Sequence, residues 1–146
     1  MSVAARIRAA FRVDDPMIAQ NQLIYIELKS GHGDSGPAWI TRAQVSKSGR
    51  TVYFNGRALK SSGGQGISGN YYCSETGDEF WVSGVKRRGG DRHWAGGGSI
   101  MVDERVLQDY VELRGSSELD PRSYRIVSGI KDTDVSKFHD LANKPL

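Results

Sequence analysis

The residues best suited to chemistry cluster between positions 86 and 92, where four basic side chains accompany a single acid. The local surplus of positive charge equals the net charge of the whole chain, +3. Arginine and lysine bind phosphates, and flat side chains stack on bases or sugars. Aromatic residues and a histidine flank the segment, so its composition favours nucleic acid or another anionic partner. The predicted site comprises Lys86, Arg87, Arg88, Arg92, His93, Tyr72, Trp81 and Trp94.

A plainer interpretation of the same segment stays open. Its glycines are typical of a turn, so residues 86–98 could be a solvated hairpin tip above tryptophans that belong to the core. Neighbouring aromatics on a strand must face opposite sides, which applies to Tyr71 with Tyr72 and to Phe80 with Trp81. One member of each pair is therefore a core residue. The other is either a contact residue or packs under a helix.

Residue types that support catalysis or metal binding are sparse. His32, His93, His139 and Cys73 have no CxxC, HExxH or His-x-His spacing, so we expect no metal site and no cofactor. A small enzyme could use Cys73 or Asp91 with His93. A lone cysteine within a strand is more often a small buried hydrophobe. These observations favour a non-enzymatic protein.

Length and composition indicate one folded domain. The chain has 146 residues, of which 38% are hydrophobic and 25% charged, which is close to the average for globular proteins. A single cysteine excludes an intramolecular disulfide and suggests a reducing, cytoplasmic location. No apolar run is long enough to span a membrane, so we expect no membrane partner.

Alternating apolar residues and turn signals predict a mostly β protein of the α+β class. Leu23 to Leu28 is apolar on both faces and should be a central strand. Asn55 and Gly56 form the strongest hairpin signal, because both tolerate the positive φ of a type I′ turn. We expect a curled antiparallel sheet or small open barrel with flanking terminal helices. The predicted strands are 23–28, 38–46, 51–54, 57–60, 70–74, 79–85 and 99–102.

Helical spacing appears beyond the strands. Asp103 should cap a helix that ends before Gly115. Val135, Phe138 and Leu141 predict a second helix that begins at residue 133 or 134, and an edge strand is expected over 124–127. In the first helix, the residues at helical spacing are Val106, Leu107, Tyr110 and Val111.

The chain divides into three segments on this interpretation. Residues 1–16 form a basic amphipathic helix or extension, with Val3, Ile7 and Phe11 on one face. Residues 17–115 form the β-rich core domain that ends in a helix, and residues 116–146 form a C-terminal extension with a helix. The N-terminal segment could be a docked helix, an arm for a partner, or an extension before an alternative start at Met17.

Several motifs within residues 23–114 resemble those of a family of small, uncharacterised bacterial proteins. They are IYIE from residue 24, SGRT from residue 48, NGR from residue 55, NYY from residue 70, ETG from residue 75, WVSG from residue 81 and GGDR from residue 89. Members are sometimes misnamed 1-deoxy-D-xylulose-5-phosphate synthase. That name does not fit here, because the chain is too short for such an enzyme and has no glycine-aspartate-glycine motif for thiamine diphosphate. The resemblance implies a bacterial protein and no defined function.

The leading hypothesis is a small non-enzymatic binding module whose basic loop, residues 86–94, engages nucleic acid or another anionic partner. One alternative is a protein-interaction, accessory or immunity-like protein that uses outward aromatics and terminal helices. The other is a small enzyme that uses Asp91, His93 or Cys73.

Overall fold

The computed structural model describes residues 18–62, 69–92 and 96–138. In this part of the chain the protein is mostly β, with one sheet of nine strands, a single short α-helix and two 3-10 turns, Glu104–Val106 and Val135–Phe138. The strands are β1 (Leu23–Leu28), β2 (Ala38–Arg42), β3 (Gln44–Val45), β4 (Thr51–Phe54), β5 (Arg57–Ser61), β6 (Tyr71–Cys73), β7 (Glu79–Gly84), β8 (Ile100–Asp103) and β9 (Tyr124–Val127), and the helix is α1 (Leu107–Leu113).

The strand β1 is central, as its apolar character on both faces predicts. It pairs antiparallel with β2 on one side and with β7 on the other. The strands β4, β5, β6 and β7 then follow one another as an antiparallel meander. Asn55 and Gly56 both have positive φ at the turn between β4 and β5, which confirms the predicted hairpin.

A bend at Ala43 curls the sheet into a half-barrel. The sequence predicted one uninterrupted strand over residues 38–46, but the structure divides it into β2 and β3. The backbone of Ala43 leaves the ladder to bond with Gln22 and Asn21. As a result, β2 pairs with β1 whereas β3 pairs with β4, the far strand of the meander. The inner face encloses the main apolar core, whose buried members are Ile18, Ile24, Ile26, Ala43, Val52, Phe54, Leu59, Tyr71, Cys73, Phe80 and Val82.

The outer face is covered at one end by α1 and the turn before it. Val106 and Tyr110 pack there on Tyr25 and Ile40. The expected helix is confirmed from its cap at Asp103 to the positive φ of Gly115.

The sheet is mixed, which corrects the expectation that it is antiparallel throughout. The strand β8 runs parallel to β2, and β9 runs parallel to β8 at the edge of the described sheet. Parallel neighbours require a long crossover, usually through a helix. Residues 104–123, which include α1, supply that connection between β8 and β9.

The C-terminal element differs from the expected helix. Val135–Phe138 is a single 3-10 turn, and Val135 is exposed rather than inward. Phe138 is buried against Tyr53 and Ala58 on the outer face, at the end opposite α1. The expected N-terminal helix and the position of Leu141 lie outside the described residues.

Asp103 fastens several of these elements together. Its buried carboxylate accepts hydrogen bonds from the Thr41 hydroxyl at 2.8 Å and from the Arg105 guanidinium at 2.8 Å. The same guanidinium bonds to Asp132 and to the carbonyl of Ile130. Burial alone would raise the pKa of Asp103, but the hydrogen bonds from Arg105 and Thr41 lower it below its ordinary value of 3.8.

This lowered pKa predicts a loss of stability in acid. A carboxylate with a lowered folded-state pKa stabilises the fold above about pH 4, and this contribution disappears as the pH falls through the folded-state pKa. We expect Asp103→Asn to lower the free energy of unfolding at pH 7, because it removes the negative charge that Arg105 and Thr41 stabilise. The loss should be only about 1.5 kcal/mol, since Arg105 is partly exposed and water screens the interaction. The difference from the wild type should narrow at pH 3. Urea unfolding at both pH values measures this, with Asp78→Asn at an exposed turn as the control.

Candidate functional site

Two aromatic side chains are exposed on neighbouring strands. Tyr72 on β6 and Trp81 on β7 are each 38% exposed, whereas Tyr71 and Phe80 beside them are buried in the inner core. This confirms that each adjacent pair divides between the two faces of its strand. Within the part of the chain that the structure describes, neither ring belongs to the apolar cluster that α1 forms with the sheet. We call Tyr72 and Trp81 the aromatic pair.

Strand register places the aromatic pair on the outer face of the sheet. Tyr72 is opposite Glu79 of β7, and Trp81 is two residues further along the same strand, so the two rings are diagonal neighbours. The backbone positions of such neighbours are about 7–8 Å apart. On its other side Tyr72 is opposite Lys60 of β5. Lys60, Tyr72 and Trp81 therefore follow one another across three strands on one face, with Glu79 as the acid among them.

The described part of the basic loop, residues 86–92, is fixed at its start by Asp91. This carboxylate accepts hydrogen bonds from the Lys86 backbone N–H at 2.7 Å and from the Tyr110 hydroxyl of α1 at 2.9 Å. The Arg114 side chain also bonds to the Lys86 carbonyl, at 2.8 Å. Burial raises the pKa of Asp91, although the bonds from Lys86 and Tyr110 oppose the rise. The side chains of Lys86, Arg87 and Arg88 remain exposed.

Arg92 has a different environment from the other cations of the loop. Its side chain is only 8% exposed, and its guanidinium lies 3.4 Å from the Glu27 carboxylate and 3.0 Å from the Asp34 carbonyl. Glu27 is directly opposite Trp81 in the pairing of β1 with β7. The loop therefore returns along the outer face from the end of β7 toward Trp81. Arg92 anchors the loop there, and its guanidinium is already engaged.

Glu27 belongs to the candidate site, although the sequence pattern did not single it out. Its carboxylate is 1% exposed and also contacts the Tyr25 hydroxyl at 2.5 Å and the Lys29 ammonium at 3.0 Å. Burial, together with the bond to Glu27, raises the pKa of Tyr25 far above its ordinary value. Burial would lower the pKa of Lys29, but its bonds to Asp34 and Glu27 raise it. The pattern of apolar residues predicts that β1 is buried on both faces. A single acidic residue within such a strand is the sequence signal that could have identified Glu27.

The structure brings together part of the predicted site. Trp81 of the aromatic pair is opposite Glu27, and Arg92 contacts the same carboxylate. The exposed cations Lys86, Arg87 and Arg88 belong to the same loop as Arg92. His93 and Trp94 lie outside the described residues. Residues 63–68 also lie outside the described residues.

Cys73 and Asp91 lie on opposite sides of the sheet. Cys73 is buried in the inner core, with its thiol 3.7 Å from the Arg57 guanidinium. Burial would raise the pKa of the thiol, but hydrogen bonds from residues 75–76 and from Arg57 lower it. Asp91 contacts Tyr110 on the outer side. These two residues do not form one site, and a partner role for His93 stays a prediction.

Comparisons with protein-family models, curated proteins and solved structures find no match to this chain. The family resemblance suggested by the motifs therefore stays a prediction. Within the described ranges, no group of three or more His, Cys, Asp or Glu side chains could hold a metal ion. No helix in the same ranges is long and apolar enough to cross a membrane.

The buried pair of Arg92 and Glu27 predicts a strong dependence of stability on Arg92. Removing one partner of a buried ion pair leaves an uncompensated charge, which typically costs 3–5 kcal/mol. We expect Arg92→Ala to lower the free energy of unfolding by about 3 kcal/mol, since Lys29 still pairs with Glu27. The matched variant Arg87→Ala removes an exposed arginine from the same loop and should change it by less than about 0.5 kcal/mol. Equal losses in urea unfolding would contradict the anchoring role.

Proposed function

We propose that this protein is a non-enzymatic binding module that takes nucleic acid on the outer face of its sheet. The observation that carries the proposal is that the outer side of the sheet exposes the aromatic pair and also holds, through Asp91 and Arg92, a loop whose other cations are exposed. Rings at a sheet surface offer stacking platforms for bases, and nearby lysines and arginines attract the phosphate backbone.

The cations of the loop have different environments, and this difference supports the proposal. Arg92 is engaged by Glu27, which holds the loop over the sheet at a fixed place. Lys86, Arg87 and Arg88 remain exposed to water and are available for phosphates. A loop held through Asp91 and Arg92 is confined to the outer side of the sheet, so less entropy is lost when its free cations bind a ligand.

Removal of the free cations tests this function. The triple variant Lys86→Ala, Arg87→Ala, Arg88→Ala should bind mixed-sequence oligonucleotides more weakly than the wild type for all sequences alike. The slope of log affinity against log salt should fall in magnitude by about 2, because each phosphate contact contributes about 0.7 for a single strand. Fluorescence anisotropy across a salt series measures both quantities.

The matched control removes three exposed cations elsewhere. Lys47, Arg50 and Arg125 are exposed and lie at the turn before β4 and on β9. Their replacement by alanine lowers the net charge by the same amount but should leave the salt slope nearly unchanged. A wild-type protein that binds no oligonucleotide at low salt would contradict nucleic-acid binding altogether.

A protein-interaction role is the second candidate, favoured by the edge strand β9. Ile126 is 53% exposed there, beside a cavity of about 680 Å³ whose apolar lining includes Leu107, Val111 and Leu119. An edge strand with an exposed apolar side chain is suited to pairing with an extended segment of another protein. On this alternative, one stoichiometric protein should be recovered in pull-downs after nuclease treatment, and Ile126→Asp should abolish its recovery. Recovery that is lost with nuclease would instead favour nucleic acid.

A further inference from the structure

We infer that the ligand of the outer face is a single strand, and that two of its successive bases stack separately on Tyr72 and Trp81. This inference rests on the proposed function and specifies the form of nucleic acid that the site takes. It follows from the spacing of the aromatic pair and from the order of cations and rings across the sheet.

The spacing of the rings selects unstacked bases. As diagonal neighbours on β6 and β7, Tyr72 and Trp81 project from backbone positions that are typically about 7–8 Å apart. Successive bases on one strand of a duplex are only about 3.4 Å apart, and both faces of each base are covered by its neighbours. Two duplex bases therefore cannot each present a free face to one ring. Bases of a single strand can separate and stack individually on aromatic side chains.

The order of side chains across the strands gives the path of the ligand. Lys60 on β5 is opposite Tyr72, Trp81 follows on β7, and Arg92 of the basic loop reaches the next strand, β1, at Glu27. A strand that crosses β5, β6 and β7 meets a cation, the two rings with the acid Glu79 beside them, and then the basic loop. This alternation matches a backbone held at both ends with bases stacked between.

The outer face has a limited extent, which sets the length of the ligand. Phe138 covers Tyr53 and Ala58 beyond the Lys60 end, and α1 covers Tyr25 beyond the Trp81 end. Between these two covered ends, the described residues expose Tyr72 and Trp81, which is room for two stacked bases. We expect affinity to rise steeply up to about four nucleotides and then to level off.

The experiment compares single-stranded and duplex probes with the full chain. Fluorescence anisotropy is measured with labelled oligothymidylate and oligouridylate of increasing length and with a DNA duplex of the same length and charge per strand. We expect the single strands to bind at least ten-fold more tightly than the duplex at moderate salt. Trp81→Ala and Tyr72→Ala should each weaken single-strand binding by about 5- to 100-fold, with the salt slope unchanged because the phosphate contacts remain.

Matched variants keep the test independent of folding. Trp81→Phe retains a flat ring and should bind within a few-fold of the wild type. Val135→Ala removes an exposed apolar side chain of the C-terminal 3-10 turn and should have no effect. Thermal unfolding of each variant reports the integrity of the fold.

The outcomes separate the two proposals. Duplex binding as tight as single-strand binding, or equal affinity of the Trp81→Ala, Tyr72→Ala and wild-type proteins, overturns the single-strand inference and leaves nucleic-acid binding by the basic loop intact. Absence of binding to every oligonucleotide overturns both. Selective single-strand binding that depends on both rings supports both.

Discussion

Glu27 lies on β1, the strand that is hydrogen-bonded on both sides, and its carboxylate is almost entirely removed from water. A buried charge without partners would be strongly destabilising, so opposite charges and hydrogen-bond donors must surround it. Tyr25 supplies a hydroxyl from the same strand, while Lys29 and Arg92 come from two different loops. Neutralising this one carboxylate therefore draws both loops together over the sheet.

Close packing between the two loops follows from that convergence. Asp34 of the first loop bonds to Lys29 and, through its carbonyl, to Arg92 of the second. Gly96 approaches the Asp34 carbonyl so closely that no side chain could be accommodated there. Packing thus explains Gly96, whereas Gly31, Gly33 and Gly89 have positive φ and open space around them. Exposed cations of the basic loop owe their position to the buried charges beneath them.

The pattern of apolar residues predicted much of the fold correctly. The alternation in β1, the turn at Asn55 and Gly56, and the cap at Asp103 are local signals, and each depends on residues close together in the chain. The parallel pairing of β8 and the division of the strand at Ala43 were missed. Both depend on which distant segment is adjacent in space, and local periodicity carries no information about that.

The four basic residues of the candidate site show most clearly the difference between what local sequence patterns predict and what depends on contacts between distant segments. The sequence by itself determined that cations and flat side chains are concentrated around residues 72–94, and that one member of each adjacent aromatic pair faces outward, because strand alternation is a local property. From the sequence alone, Arg92 cannot be distinguished from Lys86, Arg87 and Arg88. Only the tertiary structure decided that Arg92 is buried on Glu27 while the others face water. An ion pair between residues so far apart in sequence exists only after the sheet has assembled, and burial then makes that pairing obligatory.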